Sequence, residues 1–453
     1  MKTRIIRSLL ILFLVLLPSF LAGQDVLEEY IRIGVGNNLA LQQKNSEYEK
    51  SIQVLNEAKA MFYPDISFNA RYTAAKGGRV ISFPSGALLN PVYETLNKIL
   101  NQAIFSKVDN IDIRFLRPTE QETKVRLVQP LFNTDIYYNS KIRKEMTGFE
   151  DADREQYRRE LVSEIKKSYY NLSMSDGILS MLHETRKVLV ENVRVNQRLV
   201  ENDKVTRDIL LRSQAELGKF DQQLQEAEKE RIVARAYFNF LLNRPLDDSV
   251  IIKLPLEFPK ITDITGDFKG SALANREEIK KLEQVSNITA LNLKMNQAGK
   301  LPDMFLAVDY GFQGEKYQFN RDQEYAEASA ILRWNLFKGF ENKAKIKQAQ
   351  IDKKIAESKL EEGKRQIELQ VLNTLNELKT SEKGIVAAES TLSDAREGFR
   401  LVNKRYEQGQ ASLLEFLDAR TNLTQSEENL IVSRYRYLSC FAEFEKVTAV
   451  NKH

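Results

Sequence analysis

The side chains that most often carry catalysis or bind metal are scarce in this chain. Among 453 residues there are two histidines, His183 and His453, and one cysteine, Cys440. A single thiol cannot close an internal disulfide, and with two distant histidines it cannot build a structural zinc site. Gly34 and Gly36 lack the third glycine of a dinucleotide loop, and Gly363 and Lys364 are followed by Arg365 where a phosphate loop needs Ser or Thr. There is no G-x-S-x-G elbow and no His-Glu pair at metal spacing. The expectation is a protein that is not an enzyme, with no cofactor and no bound metal. His183 falls inside a predicted helix as an outer-face or packing residue, and His453 is terminal.

The remaining chemistry is electrostatic. The segment RYEQGQASLLEFLDAR carries Arg405, Tyr406, Glu407, Gly409, Ser412, Leu413, Glu415, Asp418 and Arg420 between two predicted helices. A weaker copy, Leu199 to Ser213, carries Asp203, Lys204, Arg207 and Asp208 but lacks the Arg-Tyr pair and the glycine. As plain structure, each is a turn between helices, with Asp208 and Ser412 as N-caps and Gly409 as a C-cap.

The elements that place these turns are very long helices. From Asp135 to about Asp203 no proline occurs and Gly148 and Gly177 are the only glycines, which predicts a helix roughly 100 Å long at 1.5 Å per residue. Gly339 to about Glu407 repeats that length. The first carries Leu161, Ile165, Leu172, Leu179, Leu182, Leu189, Val193 and Val200 on steps of three, four or seven. The second carries Val371, Leu375, Leu378, Ile385, Leu392, Ala395, Phe399, Val402 and Tyr406 on the same grid. That spacing is coiled-coil packing with charged, solvated flanks. Returning helices are expected from Asp208 to Leu242 and from Ser412 to Ala449, with shorter helices over Val26–Met61 and Ser271–Ala298.

The start of the chain bears on the compartment. Lys2, Arg4 and Arg7 precede an apolar run from Leu9 to Leu17, then Pro18, Ala22 and Gly23, the order of a secretory signal peptide over 1–23. Its removal takes the formal charge from +4 to +1. A near-neutral chain offers no global basic field for nucleic acid. Beyond residue 23 no apolar run is long enough for a membrane helix. Four segments of membrane-strand length alternate instead: 66–74, 123–131, 304–313 and 325–334. The same alternation fits a soluble sheet packed on helices.

The chain also repeats itself. Phe62, Tyr63, Pro64 and Asp65 correspond to Lys300, Leu301, Pro302 and Asp303, and Pro130-Leu131-Phe132 to Asn335-Leu336-Phe337. From Leu131 to Ile209 is 78 residues and from Leu336 to Glu415 is 79, so ILLRSQAEL lies over EFLDARTNL in nearly the same register. Two repeats are expected, 24–269 (with the hairpin 135–242 and a connector over 243–269) and 270–453 (with the hairpin 339–449).

This order, helix, strands, long helix, hairpin and helix given twice, together with RYEQGQASLLEFLDAR, resembles the TolC-type outer-membrane efflux protein family over essentially all of the mature chain. The resemblance implies a mainly α fold with membrane β: duplicated coiled-coil hairpins plus four strands per chain, forming a trimeric twelve-stranded β-barrel continued by an α-helical periplasmic tunnel. It implies residence in the cell outer membrane, contact with its lipid, and the role of passive exit duct in a tripartite efflux or type I secretion system. The implied partners are two further copies of the chain, a periplasmic adaptor (membrane fusion) protein and an inner-membrane pump of RND, ABC or MFS type. In this family polar and charged contacts close the periplasmic end, so the turn residues named above become the candidates for gate and adaptor contact.

Association is also expected on physical grounds, since four strands cannot close a membrane barrel. The alternatives are a periplasmic coiled-coil adaptor, which normally carries one hairpin between compact β domains, and a soluble structural coiled coil. The loop of about 75–122 is far longer than its counterpart at about 314–324. It places Leu89, Val92, Leu96, Ile99, Ala103 and Ile104 at helical spacing. A short amphipathic helix, either a lid over the outer mouth or a surface decoration, is expected there.

Overall fold

The computed structural model describes residues 26–252, 258–259 and 266–450. The expected leader over 1–23, part of the 243–269 connector and His453 lie outside them. In chain order the helices are α1 (Val26–Asn37), α2 (Leu39–Ala60), α3 (Ser85–Leu100), α4 (Thr134–Glu201), α5 (Arg207–Leu241), α6 (Phe268–Asn275), α7 (Glu277–Ala298), α8 (Glu341–Glu407) and α9 (Leu413–Thr448). The strands are β1 (Asp65–Ala74), β2 (Val80–Phe83), β3 (Ile111–Arg114), β4 (Thr119–Phe132), β5 (Asp303–Gly314) and β6 (Glu324–Arg333).

Several bounds differ from those expected. The opening helix is broken at Asn38, whose buried amide accepts from the Leu41 N–H and donates to the Leu241 carbonyl, so a tertiary contact interrupts the run. The helix expected over 271–298 is broken at Arg276, which has extended backbone. Strand β4 begins at Thr119 rather than 123. The long loop holds α3 together with an antiparallel β2–β3 pair, on either side of that helix in the chain, which the sequence did not reveal.

The residues fall into two compact units. The first holds 26–52, 145–289 and 352–450 and is helical. One apolar cluster joins Leu27, Tyr30 and Ile31 of α1 to Ile165, Tyr169 and Leu172 of α4 and Phe238 of α5. Ile165 and Phe238 are fully buried, and the Phe238 ring meets Tyr30 edge-on at 5.1 Å. The later helices build a comparable core: Ala272 of α6, Ile279 of α7, Ile367 and Val371 of α8, and Val447 of α9. The two halves are then tied by ion pairs. Arg159 forks onto Glu277 with both bonds at 2.9 Å, Lys166 reaches Glu445 at 2.8 Å, and Lys167 pairs with Glu443.

The second unit, 53–144 and 290–351, is built on an antiparallel sheet in the order β1-β4-β5-β6. Its register aligns Phe68, Val125, Tyr310 and Ala326 in one row and Ile66, Leu127, Val308 and Ala328 in the next. These rows share one face, which is apolar. It is open to the surroundings, Ile66 being 66% and Phe68 71% exposed. The alternate rows, such as Ser67, Arg126, Asp309 and Glu327, share the other face. There Arg126 forks onto Asp309 at 2.7 and 2.8 Å, and Lys124 bridges Glu122 at 2.7 Å and Asp309 at 3.2 Å. A sheet core would be expected to bury its apolar side, so the exposure is inverted relative to a soluble fold. Pro130 sits at the only irregularity of the β4–β5 ladder, a place where a residue without an N–H is tolerated.

Candidate functional site at the hairpin turns

Both hairpin turns lie in the helical unit, and both close the same way. At the end of α8, Gly409 has φ +70°, its N–H meets the Tyr406 carbonyl at 3.0 Å and the Gln410 N–H meets that of Arg405 at 2.8 Å. This pair of bonds is the Schellman closure of a helix. At the end of α4, Asp203 takes the same left-handed position with φ +53°. Its N–H meets the Val200 carbonyl at 3.0 Å, and the Lys204 N–H meets that of Leu199 at 2.8 Å. The glycine missing from the first turn is therefore replaced by an aspartate, one of the few L-residues that tolerate this conformation.

The returning helices start differently. Ser412 caps α9 as expected, in a reciprocal box: its hydroxyl accepts from the Glu415 N–H at 3.2 Å, and the Glu415 carboxylate accepts from the Ser412 N–H at 2.7 Å. Those hydrogen bonds from Ser412, aided by Arg405, hold the Glu415 carboxyl below its ordinary range. Asp208, expected as the N-cap of α5, is not one. The cap position is Thr206, without a side-chain bond, and Asp208 lies inside the first turn, where its charge suits the helix dipole.

Tyr406 links the two hairpins. Its ring stacks on Phe416 with centroids 4.8 Å apart, and its hydroxyl donates to Asn196 Oδ1 of α4 at 2.9 Å. Asn192 Nδ2 reaches the same hydroxyl at 3.4 Å, while Asn196 Nδ2 donates to Ser213 Oγ of α5 at 2.7 Å. Asn192, Asn196 and Ser213 are buried, so one phenol completes a polar network shared by three helices. Sequence reasoning missed these partners. The signal was present, because Asn196 follows Leu189 by seven residues and so occupies a seam position of the coiled coil, where a polar residue specifies its contact.

Arg420, expected at an exposed turn, is instead buried between the hairpins, with 7% of its surface exposed. Its guanidinium lies 5.5 Å from the Phe399 ring centre and donates to the Thr185 hydroxyl. Among the described residues no carboxylate pairs with it, and its Nε has no partner. Burial therefore lowers its proton affinity, Glu427 acting in the opposite sense. Thr185, like Asn196, lies in the apolar series of α4. Leu413 is buried in the first turn of α9.

The other expected residues do not join these contacts. Arg405 stays within its own hairpin, at 3.1 Å from the Gln410 carbonyl and 3.6 Å from Glu415. Glu407 accepts from Asn403 at 2.8 Å on the same helix. Asp203, Lys204, Arg207, Asp208 and Asp418 are exposed. Together they leave a charged rim around the turns.

Elsewhere the chemistry is quiet. His183 is exposed on α4. The Cys440 thiol is half-buried, and burial pushes its pKa up. Glu47, Glu150 and Asp153 form a compact carboxylate group, but Asp153 is already matched by Lys44 at 2.9 Å and by Lys281. No helix among the described residues is long and apolar enough to cross a membrane.

Comparison with known proteins agrees with this architecture. Residues 270–449 match the family described as outer membrane efflux protein. The chain is 24% identical to the alkaline protease secretion protein AprF of Pseudomonas aeruginosa, over 70% of this chain and 67% of that protein. It is 23% identical to the probable efflux pump outer membrane protein TtgC of Pseudomonas putida over 62% of its own length, spanning 58% of that relative. The fold is shared with the CmeC outer membrane channel of Campylobacter jejuni, at a TM-score of 0.76 and 15% identity, covering 94% of this chain and 85% of that one. With its long helical hairpins and its inverted sheet, the chain is similar to outer membrane efflux proteins: its second half matches that family, and its fold is the one seen in solved outer-membrane channels.

Proposed function

We propose that three copies of the chain close one twelve-stranded barrel and that their helical hairpins form a periplasmic duct held shut at the turns. A periplasmic adaptor would release the turns, and an inner-membrane pump of RND, ABC or MFS type would deliver the cargo of a tripartite efflux or type I secretion system. The observation that carries this reading is the sheet order. β1 and β6 are each paired on one side only, so every chain presents one open edge from its first half and one from its second. Open edges are not tolerated in lipid, and about eight strands is the smallest membrane barrel, so chains must share strands. The apolar face, with Ile66, Phe68 and Tyr310 outward, then meets lipid, and the Arg126–Asp309 face lines water.

The turn contacts support the gate. Tyr406 to Asn196 and Arg420 to Thr185 tie the second hairpin to the first, and a duct opens only when such ties let the hairpins part. The exposed Asp418, Glu407, Lys204, Arg207 and Asp208 form the surface an adaptor would read. The cargo relation of the relatives differs, one being named for protease secretion and the other for an efflux pump. A passive duct serves either. The test is a mass measurement in mild detergent together with conductance in a planar bilayer. A trimer that conducts ions is expected, and a stable folded monomer without conductance refutes the reading.

A further inference from the structure

The insertion between β1 and β4, residues 75–118, is a built module with an apolar surface that nothing in the barrel requires. Helix α3 is fastened along one flank to the returning chain. Asn90 exchanges two hydrogen bonds with the backbone of Val108, at 3.0 and 2.8 Å, and Asn97 does the same with Phe105, at 2.8 and 3.0 Å. Ser85 adds a bond to the Asp109 carbonyl at 2.9 Å. A Cβ at Gly86 would sit 2.4 Å from the Val108 carbonyl, so the helix approaches as closely as a backbone allows. Residues 86, 90, 93 and 97 thus define the fastened flank.

Leu88, Val92, Leu96 and Ile99 fall on a different face, about a third of the helix circumference away at 100° per residue. They are 61%, 52%, 36% and 73% exposed. The β2–β3 pair repeats the theme: Ile81 opposite Ile113 and Phe83 opposite Ile111 share one face, and all four are exposed. Since the other flank is pinned by side-chain to backbone bonds, the helix cannot roll to hide its leucines.

Charge and position select the occupant. Residues 75–118 carry Lys76, Arg79, Lys98, Lys107, Arg114 and Arg117 against Glu94, Asp109 and Asp112, a formal +3. Three such modules meeting over a common mouth would repel one another. A negatively charged lipid surface would attract each. The module also leaves the sheet beside a rim of aromatic contacts, Tyr72 stacked on Tyr317 at 5.8 Å and Phe312 against Phe319 at 5.2 Å, the kind of girdle that marks the membrane interface. We propose that the insertion is an interfacial anchor, laying the Leu88–Val92–Leu96–Ile99 face into an anionic outer leaflet rather than capping the channel. This inference rests on the barrel reading above.

The test uses the full-length protein with Cys440→Ser and Val92→Cys, labelled with an environment-sensitive dye and reconstituted in phosphatidylcholine vesicles with or without phosphatidylglycerol. A nitroxide placed near the top of the acyl chain should reduce emission roughly twofold, more than one placed deep, as an interfacial helix predicts. The effect should grow with phosphatidylglycerol. A label at Glu94→Cys, on the polar side, should instead be quenched by aqueous iodide. Quenching at Val92 by iodide alone overturns the anchor, and so does protection from both quenchers, which would mean that the face packs on protein as a lid. Equal nitroxide quenching in both lipid mixtures overturns the assignment to an anionic surface. Conductance of the same preparation separates the readings: channels without lipid quenching defeat only the anchor, and absence of both defeats the barrel on which it rests.

Discussion

Replacing Tyr406 with phenylalanine removes one oxygen and leaves the stack on Phe416. The lost hydroxyl donates to Asn196 at 2.9 Å and is reached by Asn192 at 3.4 Å. A neutral hydrogen bond of this kind contributes about 1 kcal/mol net, and the buried Asn196 acceptor is left unpaired, which puts the loss toward the upper side of that figure. If a closed trimer needs all three copies of the contact, the closed state weakens by about 3 kcal/mol. That corresponds to about a 150-fold change in the open-to-closed ratio. The assay is single-channel recording in a planar bilayer, comparing the parent protein, Tyr406→Phe, Asn196→Ala and the double variant. If the two residues act through their shared bond, the double variant should be no more open than the stronger single one. Unchanged open probability in Tyr406→Phe, or fully additive effects in the double variant, would refute the latch.

Three further outcomes follow from other contacts. Thr185→Val should strip the buried Arg420 guanidinium of its hydroxyl acceptor and cost about 1–3 kcal/mol in denaturant unfolding of the full-length protein, whereas Arg420→Met should cost less because it removes the charge as well. Gly409→Ala should lower the melting temperature, and Asp203→Gly should raise it, each by an amount equivalent to about 1 kcal/mol, since both positions have positive φ. Burial works to raise the Glu443 carboxyl, but hydrogen bonds from Lys167 and Lys446 outweigh it and its pKa lies below the ordinary 4.5. The stability it contributes is therefore complete above that value and lost as pH falls beneath it. Glu443→Gln should flatten the acid limb of a plot of stability against pH, and an unchanged limb would show that other groups dominate.

The long helices and the membrane strands were legible because each follows from a period that hundreds of atoms enforce. Leu161 to Val200 recurs on a coiled-coil grid, and Ile66 to Tyr72 alternates, so the physical cause of the element is written in neighbouring residues. Breaks that depend on distant partners were not legible. Asn38 ends α1 because its amide reaches Leu241, two hundred residues away in sequence. The β2–β3 pair has only four residues per strand, too few for alternation to stand out, and its strands are separated by α3.

At the turns, residue type marked where the helices reverse but not which side chains meet. Arg405 and Arg420 look equivalent in sequence, yet one is exposed and the other sits against Phe399 and Thr185. Asp208 looked like a cap and is not. Asn192, Asn196 and Ser213 complete the Tyr406 network from positions in an apolar series that reads as core, and only the polar break at Asn196 marks them.

The sheet order has one more consequence. In the proposed three-chain barrel the free edge from the first half joins the free edge from the second half of a neighbour, so every seam in that ring is the same heterologous joint and no subunit can be spared. A cell making equal amounts of sound chain and chain with a ruined β6 edge would complete only about one ring in eight by random mixing. Loss at this edge should therefore behave as a dominant defect, in which the faulty copy poisons the product of the healthy one.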